Sequence, residues 1–120
     1  MNKQELLENL KEIGFLNLLE GLNKSHTEIT IDFNGSGDEG WIESAEVAFD
    51  PDGKIFDVYK NKFHHIGYEI LQQYEPGWEI NEGSFGKINI EIFKEKEDWN
   101  VKCSIDISVP QPVEEHKELF

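Results

Sequence analysis

Leu6, Leu7, Leu10 and Ile13, continued by Phe15, Leu18 and Leu19, recur at helical spacing, with Glu5, Glu8, Lys11 and Glu12 on the wet side. The spacing predicts an amphipathic helix over residues 3–20. Gly14 weakens its middle by roughly 1 kcal/mol relative to alanine and is a point at which it can divide in two. Gly21 reads as the left-handed cap, with Leu22 beyond it as the hydrophobic contact. From residue 26 the period changes to two. Thr27, Ile29, Ile31 and Phe33 face one way and Glu28, Thr30 and Asp32 the other, which is a half-buried strand. A second alternating run sets Ala45, Val47 and Phe49 against Ser44, Glu46 and Ala48. Glu43 shares the parity of Val47 and Phe49, so a regular strand aims it at the core. Either a bulge near Gly40 resets the phase, or Glu43 is partly buried at the sheet's end.

Asp50-Pro51-Asp52-Gly53 has turn chemistry, and its acids do not continue at EF-hand spacing. Residues 57–74 form a second helical pattern whose inner stripe is Phe63, Ile66, Gly67, Ile70, Leu71 and Tyr74, stopped by Pro76 and Gly77. His64 and His65 point about 100° apart on such a helix. His65 and Glu69 have the i,i+4 spacing of a surface hydrogen bond or ion pair. Ile88, Ile90 and Ile92 then alternate over residues 87–94. A charged connection from Lys94 to Asp98 leads to a last strand over 99–109, with Val101, Cys103, Ile105, Ile107 and Val109 inward. Cys103 on that face reads as a small core residue rather than a nucleophile. Pro110 and Pro112 end the sheet. Residues 1–109 thus read as a single domain, followed by a charged tail over 110–120 in which Leu119 and Phe120 can dock. The order is αββαββ, an α+β fold with a four-stranded antiparallel sheet and two helices on one face. The other face would carry Glu28, Thr30, Asp32, Glu46, Asn89, Glu91, Ser104 and Asp106, wet and strongly negative.

Charge narrows the functional classes. The 120 residues hold 25 Asp plus Glu against 11 basic residues, a formal charge of −14, and all 11 basic residues are lysine. Without arginine the chain has no phosphate fork and no bidentate guanine readout, and nucleic-acid binding through a basic groove is disfavoured. The acidity suits a basic protein partner, a cation or plain solubility. A single cysteine allows no internal disulfide, and no apolar run reaches membrane-spanning length. A cytoplasmic protein without cofactor or membrane association is therefore expected, its oligomeric state open.

Two stretches combine glycines, acids and aromatics: Gly35-Ser36-Gly37-Asp38-Glu39-Gly40-Trp41-Ile42-Glu43 and Pro76-Gly77-Trp78-Glu79-Ile80-Asn81-Glu82-Gly83-Ser84-Phe85-Gly86. Together they resemble a family of small acidic proteins of bacteria, plasmids and phages catalogued as a domain of unknown function. Its members look like a helix, a short strand, a Gly-x-Gly-Asp-x-Gly loop followed by Ile-Glu, a second helix, and a Gly-Trp-Glu-x-Asn-acid-Gly-x-aromatic-Gly stretch before a final hairpin. The resemblance runs in order over most of residues 3–109. It departs at Glu39, where serine is common, and in its greater negative charge. It implies an α+β fold and brings no established activity.

The glycines Gly35, Gly37, Gly40, Gly83 and Gly86 let a ligand approach the backbone. Asp38 and Glu39 oppose a phosphate, and no lysine lies between Ser25 and Gly53. A cation or amine suits the chemistry better: Asp38, Glu43, Glu79 and Glu82 can converge if both clusters lie at one end of the sheet, with Asn81 beside them. Trp41, Trp78 and Phe85 could line such a site, although aromatics beside glycines commonly just pack against them. Two function classes follow. One is a non-catalytic binding module whose acidic face meets a basic protein, of the immunity, anti-defence or nucleic-acid-mimic type. The other is a small-molecule or divalent-metal site, hydrolytic in one form, built from the two glycine and acid clusters.

Overall fold

A computed structural model describes residues 2–35, 41–48, 54–74, 84–109 and 113–120. The elements are α1 (Lys3–Glu12), α2 (Phe15–Gly21), β1 (His26–Gly35), β2 (Trp41–Val47), α3 (Lys54–Tyr74), β3 (Ser84–Glu95), β4 (Asp98–Val109) and β5 (Val113–Glu118). The fold is α+β, built on an antiparallel sheet with the order β2-β1-β3-β4-β5.

Two features correct the expected αββαββ order. The first helical pattern is two helices, α1 and α2. Gly14 sits between them at φ +83°, a left-handed conformation that costs a side-chain-bearing residue about 1–2 kcal/mol. The sheet has five strands rather than four. Residues 113–118 fall in the segment read as a charged tail, yet they pair with β4 from Val109↔Val113 to Ser104↔Glu118. The edge of β4 offers a row of unpaired amides and carbonyls, and β5 satisfies them. Beyond β5 the chain stays bound: the Leu119 N–H donates to the Cys103 carbonyl at 2.8 Å, and the Cys103 N–H donates to the Phe120 carbonyl at 2.7 Å.

Helix ends explain where the chain turns. The Asn2 side chain accepts from the Glu5 N–H at 2.9 Å and caps α1. At the end of α2 the left-handed residue is Asn23, at φ 58°, and not Gly21. The Asn23 N–H donates to the Glu20 carbonyl and the Lys24 N–H to the Leu19 carbonyl, which is a Schellman closure with asparagine in the glycine's usual place. Gly21 is simply the last helical residue.

The core is one cluster. Leu6 and Leu10 of α1, Phe15 and Leu19 of α2, and Phe63, Ile66, Ile70 and Leu71 of α3 are buried with the inward strand positions. Those positions are the ones that period-two alternation predicts: Ile29, Ile31 and Phe33; Ile88, Ile90 and Ile92; Val101, Cys103, Ile105 and Ile107. Phe15 meets Phe63 and Tyr59 edge-on, with ring centres 5.3 and 5.6 Å apart, and so joins α2 to α3.

The phase conflict in the second strand is resolved by a bulge. Asp32 pairs with Ser44 but Phe33 pairs with Ile42, so Glu43 is the extra residue. Ile42 and Val47, five positions apart, are consequently both buried. Helix α3 accommodates this strand closely. A β-carbon on Gly67 would lie 2.6 Å from Ile42 Cδ1, and the Ile42 N–H donates to the Tyr68 hydroxyl at 3.1 Å. The expected turn at Asp50–Gly53 and the helix stop at Pro76-Gly77 lie outside the described residues.

Candidate functional site

Strand alternation places a second set of side chains opposite the core set. Glu28, Lys102, Asp106 and His116 are exposed, and Thr30, Asp32, Asn89, Glu91 and Ser104 are half-buried. Register arranges them in rows across the sheet. Asp32, Lys87, Asp106 and His116 form one row, and Glu28, Glu91 and Lys102 another. Glu28, Thr30, Asn89, Glu91, Ser104 and His116 are among the residues lining a shallow groove of about 510 Å³. The face is acidic but less uniformly so than the sequence implied, because Lys87 and Lys102 stand within it. Lys87 Nζ lies 4.0 Å from Asp32 Oδ1.

A hydrogen-bonded polar group on this face joins β3, β4 and β5. The Asn89 amide donates to Asp106 Oδ2 at 2.8 Å, and Asp106 Oδ1 contacts His116 Nδ1. The hydrogen bond from His116, helped by Asn89, holds the Asp106 carboxyl below its ordinary value, and partial burial opposes that shift. A carboxylate on Nδ1 orients the ring and leaves Nε2 as its second functional atom.

The residues expected to bind ligand divide in two. Gly37, Asp38, Glu39, Gly40, Trp78, Glu79, Asn81, Glu82 and Gly83 lie outside the described residues. Of the others, Gly35 ends β1 and pairs with Ser84, the first residue of β3, while Trp41 opens β2 opposite Asn34. The described residues that border the two glycine clusters therefore meet at one end of the sheet. Glu43 is the bulge residue there. Phe85 is half exposed, beside Asn34 and Ser108 in register. Gly86 has a packing reason of its own, since a β-carbon on it would lie 2.0 Å from the Asp106 carbonyl oxygen.

Elsewhere the reactive side chains serve structure. Burial pushes the Cys103 thiol up to about 12, which leaves it protonated and unreactive at neutral pH. His65 Nε2 sits 3.0 Å from Glu69 Oε1 in the open on α3, the surface pair that the spacing predicts. Burial, then the nearby Lys60 charge, keeps His64 below the usual imidazole range. Glu20 accepts from Trp99 Nε1 at 3.1 Å and meets Lys94 at 3.3 Å, which ties α2 to the β3–β4 hairpin. Among the described residues, no helix is long and apolar enough to cross a membrane.

Two groupings carry little signal in the sequence. His116 lies in residues 110–120, whose composition predicts a charged tail. For His26 the one signal is its two-residue offset from Glu28, which puts both on one strand face. Comparison of the chain with protein-family models, curated proteins and solved structures gave no match.

Proposed function

We propose that this protein is a non-catalytic binding module whose outer sheet face receives a basic protein partner. The observation that carries the reading is the sheet's two-sided character. One set of strand positions shares a single core with the buried residues of all three helices, which supports a helix layer on one side and an open face on the other. That open side carries Glu28, Asp32, Glu91, Asp106 and Glu118 against Lys87 and Lys102, with Phe85 exposed at one end. Charged rows flanking an aromatic give a partner both electrostatic steering and a small apolar anchor. The net charge of −14 accelerates encounter with a cation-rich surface. Membership of the small acidic family that the glycine motifs resemble is part of the same proposal.

The test is affinity capture from the source cells, followed by kinetics on the identified partner. A basic partner is expected, with an association rate that falls at least about tenfold from low to high salt. Asp32→Lys with Glu118→Lys should weaken the complex, whereas Glu8→Lys with Glu12→Lys on α1 should not. Salt-independent association, or equal effects of the two reversals, would overturn the reading.

A second reading rests on the pairing of Gly35 with Ser84. It brings the flanks of both glycine clusters together and supports a ligand or divalent-metal site at that end of the sheet, with Asp38 and Glu79 as ligands. Native mass spectrometry of the protein from its source should then reveal a bound species that Asp38→Ala and Glu79→Ala lose. An identical spectrum for wild type and variants removes this reading.

A further inference from the structure

At the end of β1 remote from the glycine clusters, three potential metal ligands face one another. His26 and Glu28 stand two apart on β1 and share the outer face, and Glu91 of β3 is the register partner of Glu28. One ligand atom from each lies within 4.8 Å of the other two, and His26 Nε2 is 3.8 Å from Glu91 Oε2. Carboxylates directly opposite each other on neighbouring strands repel. Lysine does not relieve this pair: among the described residues, neither carboxylate has a lysine nitrogen within 4.0 Å. Lys102, opposite Glu91 on β4, places its ammonium over the Phe93 ring, 5.7 Å from the centre.

We propose that His26, Glu28 and Glu91 form a binding site for a first-row divalent cation of the zinc type. An imidazole nitrogen with two carboxylate oxygens is a donor set such an ion accepts, whereas Mg²⁺ and Ca²⁺ favour oxygen alone. Bonds of about 2.0–2.2 Å in a tetrahedral site put ligand atoms roughly 3.3–3.6 Å apart. The His26–Glu91 pair, at 3.8 Å, is already close to that spacing, and the remaining separations, none above 4.8 Å, need side-chain rotation to close by at most about 1.5 Å. The cation would replace the repulsion between Glu28 and Glu91 with attraction to both. Three protein ligands leave at least one position for water or for a donor from another molecule. Glu28 and Glu91 line the groove, so that position opens onto the outer face. The site shares Glu28 and Glu91 with the outer acidic face, does not rest on a basic partner binding there, and is separate from the glycine-cluster end.

Isothermal titration of the full chain with Zn²⁺ tests this, paired with Co²⁺ absorption, whose visible bands report the coordination geometry. One ion per chain is expected. His26→Asn and Glu91→Gln should each weaken binding at least about tenfold and abolish the Co²⁺ bands. His65→Asn and His116→Asn, each at another imidazole–carboxylate pair among the described residues, should leave both readouts unchanged. Glu28→Gln removes the like-charge contact and should leave the apo protein at least as stable as wild type, yet suppress the rise in Tm that Zn²⁺ produces. The proposal is overturned if Zn²⁺ does not bind at millimolar concentration, or if it binds wild type and the His26 and Glu91 variants equally.

Discussion

Gly86→Ala separates a structural glycine from a ligand-binding one. Gly86 lies within the second glycine motif, where backbone access for a ligand is the functional expectation. In the folded protein it occupies β3, the middle strand, between Phe33 of β1 and Ile107 of β4. An added β-carbon would stand 2.0 Å from the Asp106 carbonyl oxygen and 3.1 Å from both the Asp106 carbonyl carbon and Phe33 Cζ. A carbon–oxygen contact needs about 3.3 Å, so β3 and β4 must open locally by roughly 1.3 Å. Because β3 is flanked on both sides, it cannot relax outward as an edge strand would. Overpacking of this kind costs about 1–3 kcal/mol, and each ladder hydrogen bond lost adds about 1 kcal/mol. Alanine returns about 0.5–1 kcal/mol through the less flexible unfolded chain. With two ladder hydrogen bonds opened, the net expectation is a loss of about 2–4 kcal/mol. With a urea slope of about 2 kcal/mol per molar, the unfolding midpoint should fall by about 1–2 M. Equilibrium urea unfolding followed by tryptophan fluorescence measures it. A midpoint within about 0.3 M of wild type would refute the packing argument, and the glycine would then belong to a ligand site instead.

Two further substitutions probe other parts of the chain. Gly21→Ala should stabilise by about 0.5–1 kcal/mol, since Gly21 is helical, lacks a positive φ, and has no atom within 4 Å of the added carbon; a loss of stability on thermal unfolding would restore the left-handed cap to that position. Asp106 is held below its ordinary carboxyl value first by His116 and then by Asn89, so its stabilising contribution is complete above the unfolded value of 3.8 and disappears as pH falls through the lower folded value. In His116→Ala the Asp106 carboxyl should titrate at higher pH by carbon-detected NMR, and Asn89→Ala should move it the same way, whereas an unmoved midpoint in both would show that the contacts do not persist in solution.

The sequence by itself determined the interior. Period-two alternation named the buried positions of β1, β3 and β4, and helical spacing named the buried stripe of α3, because burial of apolar side chains obeys the local repeat of the backbone. The same parity argument exposed the misfit at Glu43, and the bulge found there is its physical answer. Charge and the absence of arginine disfavoured a nucleic-acid groove without reference to any fold. Tertiary structure decided what depends on neighbours from distant parts of the chain. Residues 113–118 carry little apolar periodicity; they form a strand because the β4 edge supplies hydrogen-bond partners. Gly86 is required by a carbonyl twenty residues later in sequence. Asn23 rather than Gly21 takes the left-handed turn, a choice between two permissive residues that the closing hydrogen bonds make. Of the candidate site, the acids of the glycine motifs were legible as composition, and the pairing of Gly35 with Ser84 was not. Nor was the meeting of His26 and Glu28 with Glu91. Alternation places the first two on one face, but only the register of β1 against β3, fixed by burying Ile29 and Ile31 against Ile90 and Ile88, sets the third beside them.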